Sequence, residues 1–316
     1  MVVRVLITLS PFNMIDFTNK KLKILNITHC DLDGAVAGIV IKNYYDDVIT
    51  YVTNYNKAPD ILTYINMVKT EIDAIVFTDF SPMEFFDELK ILDIPFLVLD
   101  HHESALPIND PANGIIVNLN FCGAKLAYLY YVRSEPELEK LKELVEITND
   151  YDMWILEDPR SKHFNTLFWI YYGFNSFYER FKDGEIKLKD WEKKELVNSQ
   201  KKFKKIWDEL PLIDLPKGGC LVEVTKSLSD ISIELGKLGY EWFAMFNPNI
   251  EKLHLRSRTD KINLLPVMDE LGRGGGHRKA TACLCTSKEL QSIINKIVDF
   301  FVINSQKYID KLIKKY

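Results

Sequence analysis

Short apolar runs alternate with helix-like stretches through the first half of the chain. The apolar runs are continuous over four to seven residues, while the stretches between them repeat apolar positions at helical spacing. We expect strands at 22–28, 48–53, 73–79, 95–100 and 115–118, and helices at 35–45, 59–69, 82–92, 123–133 and 135–148. Apolar strands separated by helices predict a mainly parallel sheet that is covered on both faces.

The pattern changes after residue 155. Aromatic residues are dense between 155 and 183, a lysine-rich charged stretch at 185–207 predicts a helix, and a second strand–helix mixture follows from 216. There we expect strands at 219–225, 241–247, 252–256 and 280–285, helices at 229–238 and 263–271, and two helices that close the chain. The aromatic stretch could stack nucleobases, but we interpret most of it as helical core.

These elements predict an α/β protein with two domains. We expect a leader of uncertain role at 1–21 and a catalytic domain with a doubly wound sheet at 22–184. A helical linker at 185–215 and a smaller α+β domain at 216–316 would follow, with a cleft between the domains. Length supports two domains, since 316 residues exceed one typical domain.

Composition and charge exclude several classes of protein. The net charge of −5 argues against a non-specific binder of long duplex DNA. Five cysteines without a C-x-x-C pair favour a reducing, cytoplasmic setting over a disulfide framework. No apolar run approaches the length of a membrane span, and residues 1–13 lack the pattern of a signal peptide. We therefore expect no membrane partner.

The candidate chemistry lies where the predicted strands end. Acidic or imidazole side chains follow three strands, and a further acidic cluster follows a helix: His29, Asp31 and Asp33, then Asp79, then Asp100, His101 and His102, then Asp150. Ligand sites of open α/β sheets lie at this edge. Each aspartate has a plainer interpretation, since Asp31, Asp33 and Asp79 could cap the helices that follow them.

The number of these side chains predicts more than one ion. One divalent cation needs few protein ligands, whereas about seven candidates suit two cations that share a carboxylate. Carboxylates together with imidazoles favour Mn²⁺, and Mg²⁺ is the alternative. Two metal ions of this kind would activate water for phosphoester hydrolysis.

A second candidate site lies near the end of the chain. Gly274, Gly275 and Gly276 precede His277, and Arg256 and Arg258 stand upstream of them. Backbone N–H groups of consecutive glycines can approach an anion closely. The alternative is a flexible hairpin turn, and the two arginines favour substrate binding.

Together these motifs resemble those of the DHH phosphoesterases with a DHH-associated domain, as in RecJ-type exonucleases and nanoRNases. The first signature comprises Asp31-Leu-Asp33-Gly34, Asp79, Asp100-His101-His102 and Asp150; the second comprises Leu253-His-Leu-Arg256-Ser257-Arg258 and Gly274-Gly275-Gly276-His277. The two signatures stand in the family's order and cover nearly the whole chain after residue 22.

The resemblance implies a role for each residue. His29 and Asp31 would bind one metal, Asp33, His101 and Asp150 the other, and Asp79 would bridge them. His102 would contact the scissile phosphate, Asp100 would orient a ligand, and Arg256, Arg258, Gly274, Gly275, Gly276 and His277 would bind substrate. His29 stands two residues before Asp31, whereas many relatives have four. This spacing leaves open whether His29 binds metal or occupies a position that is acidic in relatives.

The predicted activity is hydrolysis of phosphoric diesters. Short oligoribonucleotides are the preferred substrate, with single-stranded DNA and cyclic dinucleotides as alternatives. A nucleotide-binding regulator without catalysis is the non-enzymatic hypothesis. The expected partner is therefore a short single-stranded nucleic acid or a small nucleotide, and a homodimer is also considered.

Overall fold

The computed structural model describes residues 15–54, 57–259 and 262–313, with the side chains of 277 and 302–313 left undescribed. Residues 1–14 of the predicted leader lie outside these ranges. The chain divides into two compact units, Met1–Leu196 and Val197–Tyr316. Each unit is described by itself below.

The first unit is built on a five-stranded sheet. Its strands are β1 (Lys23–His29), β2 (Asp47–Thr53), β3 (Ala74–Thr78), β4 (Phe96–Asp100) and β5 (Ile115–Val117). They lie in the order β2-β1-β3-β4-β5, and every neighbouring pair is parallel. The predicted parallel sheet is confirmed.

Helices cover both faces of this sheet. They are α1 (Leu32–Tyr44), α2 (Ala58–Val68), α3 (Phe86–Ile91), α4 (Gly123–Tyr131), α5 (Lys142–Asp152), α6 (Pro159–Leu167), α7 (Gly173–Phe181) and α8 (Asp190–Asp208). One hydrophobic cluster joins α1, α4, α5 and the aromatic helices to one face, and a second joins α2 and α3 to the other. This confirms the doubly wound fold. One boundary matters for the site, because the helix predicted to end at 148 continues to Asp152.

The aromatic segment is mostly core, as predicted. Phe164, Phe168, Phe177 and Phe181 are buried and pack against one another with ring centroids 4.5–6.4 Å apart. Trp169 is the exception and is exposed.

Helix α8 is anchored to this aromatic core by a buried carboxylate. Glu192 is fully buried, and its Oε1 accepts a hydrogen bond from Arg180 Nε at 2.8 Å and another from the Tyr172 hydroxyl. The division between the two units falls inside this helix.

The second unit contains a six-stranded mixed sheet. Its strands are β6 (Ile213–Leu215), β7 (Gly219–Glu223), β8 (Trp242–Asn247), β9 (Lys252–Ser257), β10 (Gly275–His277) and β11 (Ala280–Leu284). The order is β10-β11-β9-β8-β7-β6, and the β7–β8 pair is parallel while the others are antiparallel. The helices are α9 (Leu228–Lys237), α10 (Leu265–Leu271) and α11 (Leu290–Ile313).

One expectation for this unit is wrong. A single long helix, α11, occupies the place of the two expected closing helices within the described residues. The glycines at 275 and 276 belong to edge strand β10 of a β-hairpin, the conformation given above as the alternative. Within the described ranges, no helix combines the length and apolarity needed to cross a membrane.

Candidate metal centre

The carboxyl ends of three neighbouring strands meet at one edge of the parallel sheet. The register pairs Thr28 of β1 with Thr78 of β3, and Thr78 with Leu99 of β4. The residues that follow these positions therefore come together, as the sequence predicted. His29, Asp79 and Asp100 are the first side chains beyond this line.

Asp31 has one oxygen in a helix cap and the other in the site. Its Oδ1 accepts a hydrogen bond from the Gly34 amide at 3.0 Å, which caps α1, and its Oδ2 lies 2.8 Å from His29 Nδ1. Burial alone would raise the pKa of Asp31, but the hydrogen bond and the charge of His29 hold it well below its usual range. Asp31 is thus an ionised group that both caps a helix and faces the site.

Asp33 is held at the N-terminus of α4. Its Oδ2 accepts from the Gly123 amide at 2.6 Å, and its Oδ1 accepts from the Ala124 amide at 2.9 Å. The helix dipole favours the negative charge there. Asp33 Oδ2 also lies 3.8 Å from His101 Nε2, so the held carboxylate borders the rest of the cluster.

Asp79 is the buried centre of the cluster. Its backbone has φ of +51°, an uncommon conformation for an aspartate. Its Oδ1 lies 3.2 Å from His101 Nε2, and its buried Oδ2 has no hydrogen-bond partner among the described residues. Burial, followed by the charges of Asp31 and Asp33, raises the pKa of Asp79 well above its usual value.

Asp152 joins this cluster, although the sequence did not single it out. Its Oδ2 lies 3.4 Å from His101 Nε2, in the last turn of α5. Burial, together with the charges of Asp33 and Asp31, raises the pKa of Asp152 to about 7, although His101 opposes the shift. The signal that could have found it is helical spacing: Asp152 stands three residues after Asn149, whose Oδ1 accepts from the Cys122 amide at 3.1 Å.

Asp150, the expected ligand, belongs to none of the groups of ligand atoms found among the described residues. Its Oδ1 accepts from the Glu157 amide at 3.0 Å, and its backbone oxygen accepts from the amides of Ile155 and Leu156. Its buried Oδ2 has no hydrogen-bond partner among the described residues. Because α5 continues through this segment, neighbouring aspartates point in different directions around the helix.

Asp100 and His102 form a separate pair beside the cluster. Asp100 is fully buried, and its Oδ1 lies 2.8 Å from His102 Nδ1. Burial would raise the pKa of Asp100, but the charge and hydrogen bond of His102 lower it. Asp100 is therefore placed to orient His102, which lies 4.0 Å from Asp79 through its Nδ1.

Among the described residues of this unit, three groups of side chains have ligand atoms within 4.8 Å of one another. They are His29, Asp31 and Asp79; Asp33, His101 and Asp152; and Asp79, His101 and His102. Two of these groups share Asp79, and the second and third share His101. Buried carboxylates that repel one another and an unpartnered Asp79 Oδ2 fit a cation, since buried charge without a partner is costly. The donor types suit divalent ions.

The predicted substrate residues lie in the second unit. Arg256 is half-buried on β9, opposite Ala280 of β11, and Arg258 is exposed just beyond β9. The side chain of His277 lies outside the described residues.

The glycines that follow α10 serve the β10–β11 hairpin. A β-carbon at Gly274 would meet the Ala282 carbonyl, and one at Gly276 would meet the Ala280 carbonyl. Both glycines also have positive φ, so each is required by backbone conformation and close packing. Gly275 differs, because a β-carbon there would meet open space.

This fold and this edge cluster are similar to what the resemblance to the DHH phosphoesterases implies. No family model matches the chain. A 3′,5′-cyclic-nucleotide phosphodiesterase of Helicobacter pylori is 24% identical over 153 residues, which is 42% of this chain and 44% of that protein. The match thus spans less than half of that relative's length.

Solved structures confirm the resemblance at the level of the fold. An exopolyphosphatase-related protein from Bacteroides fragilis superposes with a TM-score of 0.56 at 12% identity, over 88% of this chain and 92% of that one. RecJ from Thermus thermophilus, in complex with Mn²⁺, superposes with a TM-score of 0.55 at 13% identity, over 90% of this chain and 52% of the RecJ chain. A pGpG-specific phosphodiesterase from Vibrio cholerae superposes with a TM-score of 0.50 at 15% identity, over 88% of this chain and 98% of that one.

Proposed function

We propose that this protein is a phosphodiesterase that hydrolyses short oligoribonucleotides to mononucleotides with two divalent metal ions. The observation that carries the proposal is the shared position of Asp79. It belongs to the group with His29 and Asp31, and its Oδ1 lies 3.2 Å from Nε2 of His101, a member of the group with Asp33 and Asp152. A shared buried carboxylate is what a two-ion site requires.

The residues that would hold the ions follow from these groups. His29 and Asp31 would hold one, Asp33, His101 and Asp152 the other, and Asp79 both. When bound, two such ions acidify a water molecule and neutralise charge on phosphoryl oxygens. Imidazole ligands among the carboxylates favour Mn²⁺ over Mg²⁺.

Asp100 and His102 would act on the substrate. Asp100 holds His102 Nδ1 at 2.8 Å and so fixes the orientation of the ring. Because Asp100 accepts from Nδ1–H, only the imidazolium form of His102 can donate from Nε2. We assign to that form the donation of a hydrogen bond from Nε2 to a phosphoryl oxygen, where charge develops during displacement. Arg256, Arg258, the Gly274–Gly276 strand segment and His277 are proposed to recognise the rest of the substrate.

Two comparisons bear on the choice of substrate. The Vibrio cholerae protein acts on pGpG, and 98% of its chain is covered, which favours a substrate as short as two nucleotides. The Helicobacter pylori relative acts on 3′,5′-cyclic nucleotides, which makes these the second candidate. Single-stranded DNA is the third candidate, because the acidic balance of the chain does not favour a long nucleic acid.

A matched panel of substrates tests the proposal. The purified protein with Mn²⁺ would be given pGpG, a labelled 5-mer RNA, a long single-stranded DNA, a cyclic dinucleotide and a 3′,5′-cyclic mononucleotide. We expect the two short linear RNAs to be hydrolysed fastest. Asp79→Asn should reduce turnover by at least a hundredfold, whereas the control Asp87→Asn, at an exposed position of α3, should retain it.

The same experiment separates the enzyme from a regulator. Nucleotide binding without turnover of any panel member would favour the regulator. Full activity of Asp79→Asn would contradict a two-ion mechanism that depends on the shared carboxylate.

A further inference from the structure

The turn that follows Asp152 has two strained residues. Trp154 has φ of +56° and Leu156 has φ of +59°. Bulky side chains rarely adopt this left-handed conformation, and such outliers persist where surrounding structure enforces them. Both stand within four residues of Asp152, a member of the candidate metal centre.

Asp150 enforces this turn. Its backbone oxygen accepts from the Ile155 amide at 2.9 Å and from the Leu156 amide at 3.2 Å. Its Oδ1 accepts from the Glu157 amide at 3.0 Å. Three hydrogen bonds from one residue therefore fix the path of the backbone from 153 to 157.

The strained turn presents apolar side chains away from the core. Met153 packs against the hydrophobic core of the first unit, but Trp154, Ile155 and Leu156 belong to neither hydrophobic cluster described for it. Ile155 is 48% exposed, and the Trp154 side chain is half-buried. The core therefore does not explain why the chain accepts this conformation.

Tyr151 supports the indole from one side. The ring centroids of Tyr151 and Trp154 lie 5.9 Å apart with the planes at 69°, an edge-to-face contact. Such a contact holds the indole in a defined orientation. A braced, half-buried indole is suited to bind a flat apolar ligand.

We propose that Trp154 is a stacking platform for a nucleobase of the substrate. This inference rests on the proposed function, which places the scissile phosphate at the metal cluster. One residue, Met153, separates Trp154 from Asp152, so the Cα atoms of Trp154 and Asp152 lie within about 7 Å of each other. A base on a nucleotide that flanks the phosphate is the substrate group that a side chain so near to Asp152 in the chain would meet. Base–aromatic stacking tolerates every base, so the platform selects nucleotides over simple phosphodiesters.

A double-substitution cycle tests the stacking. KM and kcat would be measured with Mn²⁺ for pGpG and for two analogues that each lack one guanine base, using wild type, Trp154→Ala and Trp154→Phe. We expect Trp154→Ala to raise the KM for pGpG about tenfold or more, in line with the loss of one stack, and Trp154→Phe to restore most of the affinity. For one of the two analogues, Trp154→Ala should change KM less than threefold.

Two further variants distinguish loss of the indole ring from disturbance of the turn. Ile155→Ala alters the adjacent exposed side chain of the same turn and should leave the KM for pGpG within twofold of wild type. Trp154→Gly suits the positive φ and removes the ring without straining the turn, so it should match Trp154→Ala. Equal effects of Trp154→Ala on pGpG and on both analogues would overturn the proposal, as would an unchanged KM for pGpG.

Failure of the stacking and failure of the proposed function give different results. If wild type does not hydrolyse pGpG, the same variants and ligands would be compared by their dissociation constants, measured by equilibrium dialysis. A loss of affinity in Trp154→Ala that disappears when one base is removed from the ligand would then support the stacking, even though the protein does not hydrolyse pGpG. Hydrolysis of pGpG without coupling would retain the activity and refute the stacking.

Discussion

Gly123 lies so close to Asp79 that a β-carbon at position 123 would stand 2.5 Å from the Asp79 Cβ. The amide of the same glycine donates to Asp33 Oδ2 at 2.6 Å. One residue at the N-terminus of α4 therefore sets the position of two carboxylates of the candidate metal centre.

Gly123→Ala should displace Asp79 and weaken metal binding. We expect the dissociation constant for Mn²⁺ to rise at least tenfold in calorimetric titration, and the free energy of unfolding to fall by about 1–3 kcal/mol from overpacking. Gly236→Ala is the matched control, since a β-carbon there would make only ordinary contact with Arg258, at 3.7 Å. Unchanged Mn²⁺ affinity in Gly123→Ala would show that Asp79 does not depend on this close approach.

Asp150 and Asp152 should have separable effects. Asp152→Asn should weaken Mn²⁺ binding with little loss of stability, because it removes charge from the cluster. Asp150→Ala should lower the free energy of unfolding by about 0.5–1.5 kcal/mol, since the Glu157 amide loses its acceptor. Mn²⁺ titration and urea unfolding of both variants provide the comparison, each variant serving as the control for the other. A larger loss of Mn²⁺ affinity in Asp150→Ala would restore Asp150 as a ligand.

The metal-free protein should lose stability as pH rises from 5 to 8. The pKa of Asp152 is raised to about 7, and those of Asp79 and His101 are raised as well, so the folded state holds protons that the unfolded chain releases. Stability from a raised pKa is present at low pH and is lost as pH passes through the folded value. Thermal unfolding in EDTA from pH 5 to 8 measures this slope, and Asp152→Asn should flatten it. A slope of opposite sign would contradict the assignment of protonated carboxylates.

Glu192→Ala should strongly destabilise the first unit. It leaves the buried Arg180 guanidinium without its carboxylate partner, and breaking a buried ion pair in this way costs about 3–5 kcal/mol. Denaturant unfolding measures the loss. Glu179→Ala, which removes the exposed partner of Lys182, is the control and should cost less than about 1 kcal/mol.

The sequence predicted the parallel sheet because its apolar runs are separated by helices. The position of acidic and imidazole residues at strand ends also predicted that His29, Asp31, Asp79 and His101 would lie at one edge. It could not choose between the carboxylates at 150 and 152, because the helix continues there and rotation around its axis decides which of them faces the site. The roles of individual residues stay predictions, since the geometry of a cluster does not by itself assign ligands.

The glycine segment shows a different limit. Consecutive glycines at 274–276 indicate conformational freedom, which suits an anion-binding loop as well as a hairpin. Only the tertiary contacts distinguish these, because Gly276 must pass close to the Ala280 carbonyl on the paired strand. Local sequence carries no information about that partner.

The cluster draws its side chains from separate segments that span residues 29 to 152. An unfolded chain cannot bring these segments together, so ions that bind the cluster bind the folded state alone. The metal ions would then bind after folding. They would raise the free energy of unfolding by about 2.7 kcal/mol when the free ion is at 100 times its dissociation constant. The ion supply of the cell would set both how fast this protein works and how long it stays folded.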